Sequence, residues 1–293
     1  MGLTEPSVQL DIQAAAPVPR IMAKVGILAL AASRALNHYR VPMLRLRRKL
    51  SYWTSDLEEG FFDSYPRFYS TSQTAAKPNR LNKRHQALIN SNQPIIRGKS
   101  VLDIASHDGR WSLAAHKAGA CHVLGIEARE HLVKSAQANM GEYQVPEDQV
   151  HFALGDVFGV LDHLEPDSFQ TVFCFGFFYH TMHHMLLLSK IAQLKPKYLI
   201  LDTAIDVDPD SIVEVHDEGV ATESAGAVPD PGDPTRIVVG VPTKSALQLM
   251  LSRSGFTTFR YYDWHRAGIK RWDDLEDYHE GLRVSLVATF RCA

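Results

Sequence analysis

From about Leu81 onward, short apolar runs alternate with amphipathic segments along this chain. Five runs have the length and the β-branched or aromatic content of buried strands, at 100–104, 123–126, 150–154, 169–175 and 198–201. Segments with apolar residues at helical spacing lie between or after them, at 111–118, 131–140, 185–194 and 243–254. Because parallel neighbours need crossover connections, this alternation predicts a doubly wound α/β fold with helices on both faces of a mostly parallel sheet.

The C-terminal part of the pattern is different. Strand-like runs at 258–262 and 284–290 follow one another with no evident crossover helix between them. Strands joined in this way can pair antiparallel at the edge of a sheet. The sequence therefore predicts a seven-stranded sheet with an antiparallel last strand.

Residues 1–80 lack the alternation. Residues 1–19 contain three prolines, 21–37 have helical spacing, and 51–80 are rich in aromatic side chains. We predict an N-terminal helical and aromatic extension at 1–80 and an α/β domain at 81–293. The basic amphipathic N-terminal stretch suits either a membrane surface or a place against the core.

Charged residues are unevenly distributed along the chain. The net charge of the 293 residues is −2, but residues 1–50 carry eight basic and two acidic side chains. Residues 201–235 hold ten acidic side chains, four prolines and no Lys or Arg. We expect an acidic flap after the fifth strand, which argues against a nucleic-acid substrate because it would repel phosphates. The basic segment could dock on this flap.

Cysteine content and hydropathy indicate the compartment. Three cysteines are too few for a disulfide framework, which predicts reduced thiols in a cytoplasmic protein. The apolar run at 25–32 is far shorter than the ~20 residues that cross a bilayer.

Candidate binding residues follow the first three strands, since ligands of doubly wound sheets bind at the carboxyl ends of strands. The first strand runs into Asp103-Ile104-Ala105-Ser106-His107-Asp108-Gly109, where small residues let the backbone approach a ligand and Gly109 can adopt a positive φ. The second strand ends at Glu127, whose carboxylate can accept hydrogen bonds from ribose hydroxyls. Asp156 follows the third strand and is in position to meet an adenine amino group.

Taken together, these motifs resemble the class I S-adenosylmethionine-dependent methyltransferases over about residues 81–293. The resemblance implies a Rossmann-like fold and S-adenosylmethionine as cofactor. At two of the three usual glycine positions the chain has Ala105 and His107, which weighs against a dinucleotide dehydrogenase because His107 would crowd a phosphate. The resemblance places these residues around the cofactor: Asp103, Ala105, Ser106, Asp108, Gly109, Glu127, Asp156, Val157 and Phe175.

The fourth strand continues into Phe177-Phe178-Tyr179-His180. This resembles a subgroup in which an aromatic-Tyr-His turn follows the strand, including tRNA wobble-uridine carboxymethyl-transferring enzymes and bacterial small-molecule enzymes. The resemblance makes Tyr179 and His180 the candidate catalytic residues. Imidazole titrates near neutrality, so His180 suits a proton acceptor. A metal site shared with His184, or a place in the pocket wall, are the alternatives.

The sequence as a whole predicts O-methylation of a hydroxyl on a small molecule such as a sugar or a secondary metabolite. No metal ligand is assigned, although a Mg²⁺ ion held by Asp202 with Glu214 or Glu218 is an open alternative. A tRNA-modifying methyl or carboxymethyl transferase and a non-catalytic S-adenosylmethionine-binding regulator are the competing functions. The acceptor and the oligomeric state are left open.

Overall fold

The computed structural model describes residues 59–71, 77–223 and 225–291. The predicted N-terminal helix and the basic segment 1–50 lie outside the described residues, and so does the expected docking of that segment on the acidic flap. The division into an extension at 1–80 and a domain at 81–293 stays a prediction.

The structure has nine described strands: β1 (Ser100–Ile104), β2 (His122–Glu127), β3 (Val150–Leu154), β4 (Thr171–Phe175), β5 (Tyr198–Ala204), β6 (Val213–Gly219), β7 (Arg236–Pro242), β8 (Phe256–Tyr261) and β9 (Arg283–Phe290). Seven of them form one sheet in the order β3-β2-β1-β4-β5-β9-β8. The first five are parallel, and β9 pairs antiparallel with both β5 and β8. The predicted sheet and its antiparallel last strand are confirmed.

Seven described α-helices connect or cover the strands: α1 (Pro78–Leu88), α2 (Arg110–Lys117), α3 (Glu130–Glu142), α4 (Val157–Leu161), α5 (His184–Gln193), α6 (Lys244–Arg253) and α7 (Glu276–His279). Local sequence explains several of their starts. Pro78 opens α1, where a missing N–H costs nothing, and the Thr243 hydroxyl accepts the Ala246 N–H to cap α6. Of the helices described, none is both long and apolar enough to cross a membrane.

The two faces of the sheet carry separate hydrophobic clusters because successive side chains of a strand point to opposite sides. Val101, Phe173 and Ile200 pack with α1 and α2 on one face. Leu102, Val172 and Leu199 pack with α5 and α6 on the other. The predicted helices on both faces are therefore present.

The described part of the aromatic segment packs on the first of these faces. Phe62 and Phe68 are fully buried, and the Phe62 ring meets the Trp111 ring edge-on with centroids 5.6 Å apart. Two 3₁₀ turns, Phe61–Ser64 and Pro66–Tyr69, carry these side chains. Of the two roles open to such a segment, core packing is the one that the described residues take.

The acidic flap contains a feature that the sequence analysis missed. β6 and β7 pair antiparallel over their whole length and form a separate two-stranded sheet. The flap is thus no continuous helix, as expected, but it is a β-hairpin with a long connection at 220–235. Val239 of β7 is buried on one face of the hairpin, whereas Val215 and Val238 are exposed on the other face.

Candidate active site

The loop between β1 and α2 has an unusual backbone. Gly109 has a φ of 79°, which confirms the expected positive angle. Ala105 and His107 also adopt the left-handed region, with φ of 53° and 56°, although both carry a Cβ. Such a conformation costs an ordinary residue about 1–2 kcal/mol. The loop therefore keeps the backbone that glycines usually provide, although positions 105 and 107 carry side chains.

This loop approaches β2 closely. The Ser106 N–H donates to the Ile126 carbonyl at 2.8 Å, and a Cβ on Gly125 would lie 2.7 Å from the Ser106 Oγ. Glycine at position 125 is thus required by the approach of the loop. Within the described residues, the buried Ser106 Oγ has no hydrogen-bond partner. It remains available to a ligand group.

Glu127 is held at the end of β2 with its carboxylate oriented. Its Oε2 accepts the His107 N–H at 3.1 Å, and its Oε1 accepts the Arg129 N–H at 2.9 Å. A carboxylate has about four acceptor positions, so each oxygen can take a further hydrogen bond. Because two backbone amides fix the group, it is suited to bind a pair of vicinal hydroxyls.

Asp103 and Asp108 are buried at this loop, and their pKa values are shifted in opposite directions. Asp103 accepts the Ser112 hydroxyl at 2.7 Å, and burial together with the nearby Glu127 and Asp108 carboxylates raises the pKa of Asp103 to about 7. Asp108 is also buried, which raises its pKa, but the Arg110 guanidinium at 2.6 Å outweighs burial and holds the pKa well below its usual range. Asp108 therefore anchors the start of α2. Direct contact of either carboxylate with the cofactor stays a prediction.

Asp156 and Val157 lie where β3 runs into α4. The Asp156 carboxylate caps the helix by accepting the Gly159 N–H at 3.4 Å, and Val157 is buried. Asp156 is half-exposed at the carboxyl edge of the sheet. This edge also holds Glu127, since β2 and β3 are parallel neighbours.

The end of β4 gathers aromatic rings. Phe175 meets Trp111 edge-on at 5.5 Å, and a 3₁₀ turn at Phe178–His180 follows. The rings of Tyr179 and His180 lie 4.0 Å apart, centroid to centroid. The two candidate catalytic residues are thus neighbours in space, at the same edge of the sheet as the loop after β1.

Charged partners shift the pKa of both rings. Burial raises the pKa of Tyr179, but the positive charges of His180 and Arg283 outweigh it and bring this pKa to about 8. Burial lowers the pKa of His180, but Tyr179 and Glu218 outweigh it, so the net shift is upward. The Nδ1 of His180 lies 2.9 Å from the Glu218 Oε2. These surroundings therefore strengthen His180 as a proton acceptor.

Asp202, at the end of β5, binds arginine side chains rather than the Mg²⁺ ion considered for it. Its oxygens accept hydrogen bonds from four side chains at 2.6–2.8 Å: Arg84, Tyr278, Arg283 and Ser285. Burial raises its pKa, but the Arg283 and Arg84 charges outweigh burial and keep the carboxyl ionised. Two guanidinium groups leave no place for a cation.

The metal alternatives are not supported by these partners. Asp202 binds arginines, Glu218 binds His180, and the Nε2 of His184 lies 3.1 Å from the Gly240 carbonyl oxygen. Across the part of the chain that is described, no three His, Cys, Asp or Glu side chains are grouped as a metal site.

Arg283 was missed by the sequence analysis. A signal for it was present: an antiparallel last strand begins at the edge where its parallel neighbours end, so its first residue lies at the ligand edge. Arg84 gave no such signal, because nothing in α1 marks the one arginine that reaches Asp202.

Comparisons with known proteins agree with this geometry. Residues 101–196 match a family model described as a methyltransferase domain. Residues 101–196 thus carry a methyltransferase domain, and the chain has the fold of the class I S-adenosylmethionine-dependent methyltransferases. No curated protein matches the chain significantly.

Several solved structures share the fold at low sequence identity. The N-terminal domain of EvdMO1 with SAH bound is 17% identical with a TM-score of 0.51, over 86% of this chain and 97% of that one. The same domain in the presence of SAH and D-fucose gives a TM-score of 0.52, at 17% identity and the same coverage. An S-adenosylmethionine-dependent methyltransferase from Mesorhizobium loti is 17% identical with a TM-score of 0.51, over 71% of this chain and 99% of that one.

The residues present fit S-adenosylmethionine, the cofactor of this class. The Ser106 Oγ is buried without a partner, the Glu127 carboxylate is oriented to accept hydroxyl donors, and the half-exposed Asp156 lies at the same edge. The loop after β1 has a side chain at 107 where a phosphate would need space, and this cofactor carries no phosphate.

Proposed function

We propose that this protein transfers the methyl group of S-adenosylmethionine to a hydroxyl of a small molecule, such as a sugar or a secondary metabolite. The observation that carries the proposal is the close Tyr179–His180 pair at the end of β4, whose rings are tilted by 42° with centroids 4.0 Å apart. A neutral imidazole beside a phenol and a carboxylate is suited to take the proton that a hydroxyl loses when it is alkylated.

S-adenosylmethionine supplies a methyl group activated by its sulfonium sulfur. In the proposed reaction Glu127 and the loop after β1 hold and orient the cofactor. The Nε2 of His180 accepts the hydroxyl proton, because its Nδ1 is already bonded to Glu218. Tyr179 lines the site and is held by Arg283. Positioning of the two reactants supplies most of the rate enhancement in such a design.

Two observations support a small uncharged acceptor. The hairpin β6–β7 and its connection bring many carboxylates to the edge of the site, which disfavours a polyanion. A similar fold has been crystallised in the presence of SAH and D-fucose. A sugar hydroxyl is therefore the first acceptor class to test.

The test is an untargeted search for a mass gain of one methyl group, after the protein and isotope-labelled S-adenosylmethionine are added to a metabolite extract. We expect a labelled small molecule, and we expect the His180→Gln variant to form it about 10²–10⁴-fold more slowly. The matched control is His183→Gln, three residues along and exposed, which should retain the wild-type rate. Binding of S-adenosylhomocysteine should be the same for both variants.

The competing functions give other results. Methyl transfer to RNA that weakens steeply with salt would favour the tRNA-modifying alternative. Cofactor binding without any labelled product, in extracts and in RNA, would favour the regulator.

A further inference from the structure

The hairpin β6–β7 carries a carboxylate to the candidate base. Glu218 lies in β6 opposite Ile237 of β7, and its Oε2 is 2.9 Å from the Nδ1 of His180. Both side chains are largely shielded, with 26% of Glu218 and 10% of His180 exposed. An ionised carboxylate only accepts hydrogen bonds, so the Nδ1 carries a hydrogen, and in the neutral imidazole the Nε2 then keeps its lone pair. This is the tautomer that a proton acceptor at the Nε2 needs.

The connection of the same hairpin is fastened beside the cofactor site. The Arg129 guanidinium donates to three backbone carbonyls, those of Thr222, Ala225 and Gly226, at 3.0–3.2 Å. The backbone N–H of Arg129 donates to the Glu127 Oε1. One residue therefore contacts both the candidate ribose acceptor and the hairpin connection.

The connection also lies directly on the turn that holds the base. A Cβ added to Gly226 would be 3.2 Å from the carbonyl oxygen of His180 and 3.1 Å from the Ile237 side chain. The hairpin thus closes over His180 through its connection and over the imidazole through Glu218.

We propose that Glu218 is the positioning residue of His180 and that the β6–β7 hairpin, latched by Arg129, delivers it. His180 then has its partner only while the hairpin is closed against the edge where the cofactor binds. This inference rests on the proposed function, in which His180 accepts a proton.

The charged groups around His180 come from two parts of the structure, the hairpin and the main sheet. Tyr179 and Arg283 come from the sheet and its turns, and Glu218 comes from the hairpin. Burial lowers the pKa of His180, Tyr179 and Glu218 raise it, and Arg283 lowers it. Opening the hairpin removes the Glu218 contribution, which lowers the pKa of His180, and exposes the ring, which raises it. The Nδ1–H tautomer, which the hydrogen bond to Glu218 holds, should therefore report closure.

The experiment follows the titration of His180 by NMR in the full chain labelled with ¹³C and ¹⁵N in histidine, with His180→Gln to assign the signal. Glu218→Gln should lower the pKa of His180, because a negative charge is lost, and shift its ¹⁵N signals away from the Nδ1–H tautomer. Glu218→Asp should restore part of that shift. Both variants must bind S-adenosylhomocysteine, which shows that they are folded.

The latch is tested by Arg129→Met, which should move the His180 ¹⁵N signals away from the Nδ1–H tautomer, as Glu218→Gln does, although Arg129 does not contact the imidazole. The matched control is Arg236→Met, an exposed arginine of β7 paired with Asp217, which should leave these signals unchanged. Wild-type His180 ¹⁵N signals in Glu218→Gln would overturn the positioning role, and wild-type signals in Arg129→Met would overturn the latch. Both NMR results are obtained without a methyl acceptor. The proposed function is tested separately, by the search for a methylated product.

Discussion

The guanidinium carbon of Arg283 lies 5.2 Å from the centre of the Tyr179 ring, while the Nε and Nη2 of the same side chain bind the Asp202 carboxylate. Arg283 therefore links the ion pair at the end of β5 to the candidate catalytic pair at the end of β4. Asp202 is fully buried, so the arginine is held in place by a charge that cannot turn to solvent.

Replacement of Arg283 by Met should raise the pKa of Tyr179 above its value of about 8, because the nearby positive charge is lost. It should also lower the free energy of unfolding by about 3–5 kcal/mol, since Asp202 loses one partner in a buried site. The phenolate absorbance, compared with that of Tyr179→Phe, measures the first effect, and urea unfolding measures the second. Arg271→Met, which breaks an exposed ion pair with Asp273, should change neither. A Tyr179 titration unaffected by Arg283→Met would show that the arginine does not set it.

The Asp103 carboxyl should make stability depend on pH in a defined direction. Its pKa is raised from 3.8 to about 7, so its contribution is fully present below about pH 4 and is lost as the pH rises to about 7. Asp103→Asn should remove this loss, which amounts to about 1.4 kcal/mol per pH unit in that window. Urea unfolding of wild type and variant at pH 4–8 checks the difference. The exposed Asp148→Asn should run parallel to wild type, and a parallel curve for Asp103→Asn would contradict the assignment.

The left-handed Ala105 makes a prediction about loop strain. Ala105→Gly should leave the free energy of unfolding unchanged or raise it by up to about 1 kcal/mol, because relief of the left-handed conformation offsets the added chain entropy. Ala114→Gly, in the middle of α2, should lower it by about 1 kcal/mol. Thermal and urea unfolding of the two variants measure the contrast. Equal losses in both would mean that Ala105 is not strained.

Glu127 should determine cofactor affinity. Glu127→Ala removes the oriented acceptor and leaves the His107 and Arg129 amides without their partner, so the Kd for S-adenosylhomocysteine should rise at least about tenfold, or about 1.4 kcal/mol. Isothermal titration calorimetry measures it. Glu130→Ala, an exposed carboxylate in the first turn of α3, is the control and should bind as wild type does. An unchanged Kd in Glu127→Ala would remove the ribose assignment.

Strands and helices that pack on the central sheet could be predicted from the sequence. The runs at 100–104 and 150–154 match β1 and β3 residue for residue. β1 is buried inside the sheet, where a parallel strand needs nearly continuous apolar side chains, whereas β3 is an edge strand of which only Val150 is buried. β6 was not predicted, since only Val213 and Val215 of its seven residues are apolar and the surrounding segment is dominated by acids and prolines. Its partner strand lies beyond a long connection, and pairing across such a connection is not a local property.

Part of the candidate site could be predicted from the sequence, and part depends on tertiary contacts. Asp103, Glu127 and Asp156 lie at the ends of three strands that the sequence predicts to be parallel. Because crossover connections bring the ends of parallel strands to one edge of the sheet, the sequence determined that these three carboxylates share that edge. The partners of Asp202 were decided by the tertiary structure alone, since Arg84 and Arg283 are 118 and 81 residues away in sequence. Likewise, the contact between Glu218 and His180 spans 38 residues and depends on where the hairpin lies. Local patterns determine which strand ends carry chemistry, whereas the charges that adjust that chemistry come from contacts between distant segments.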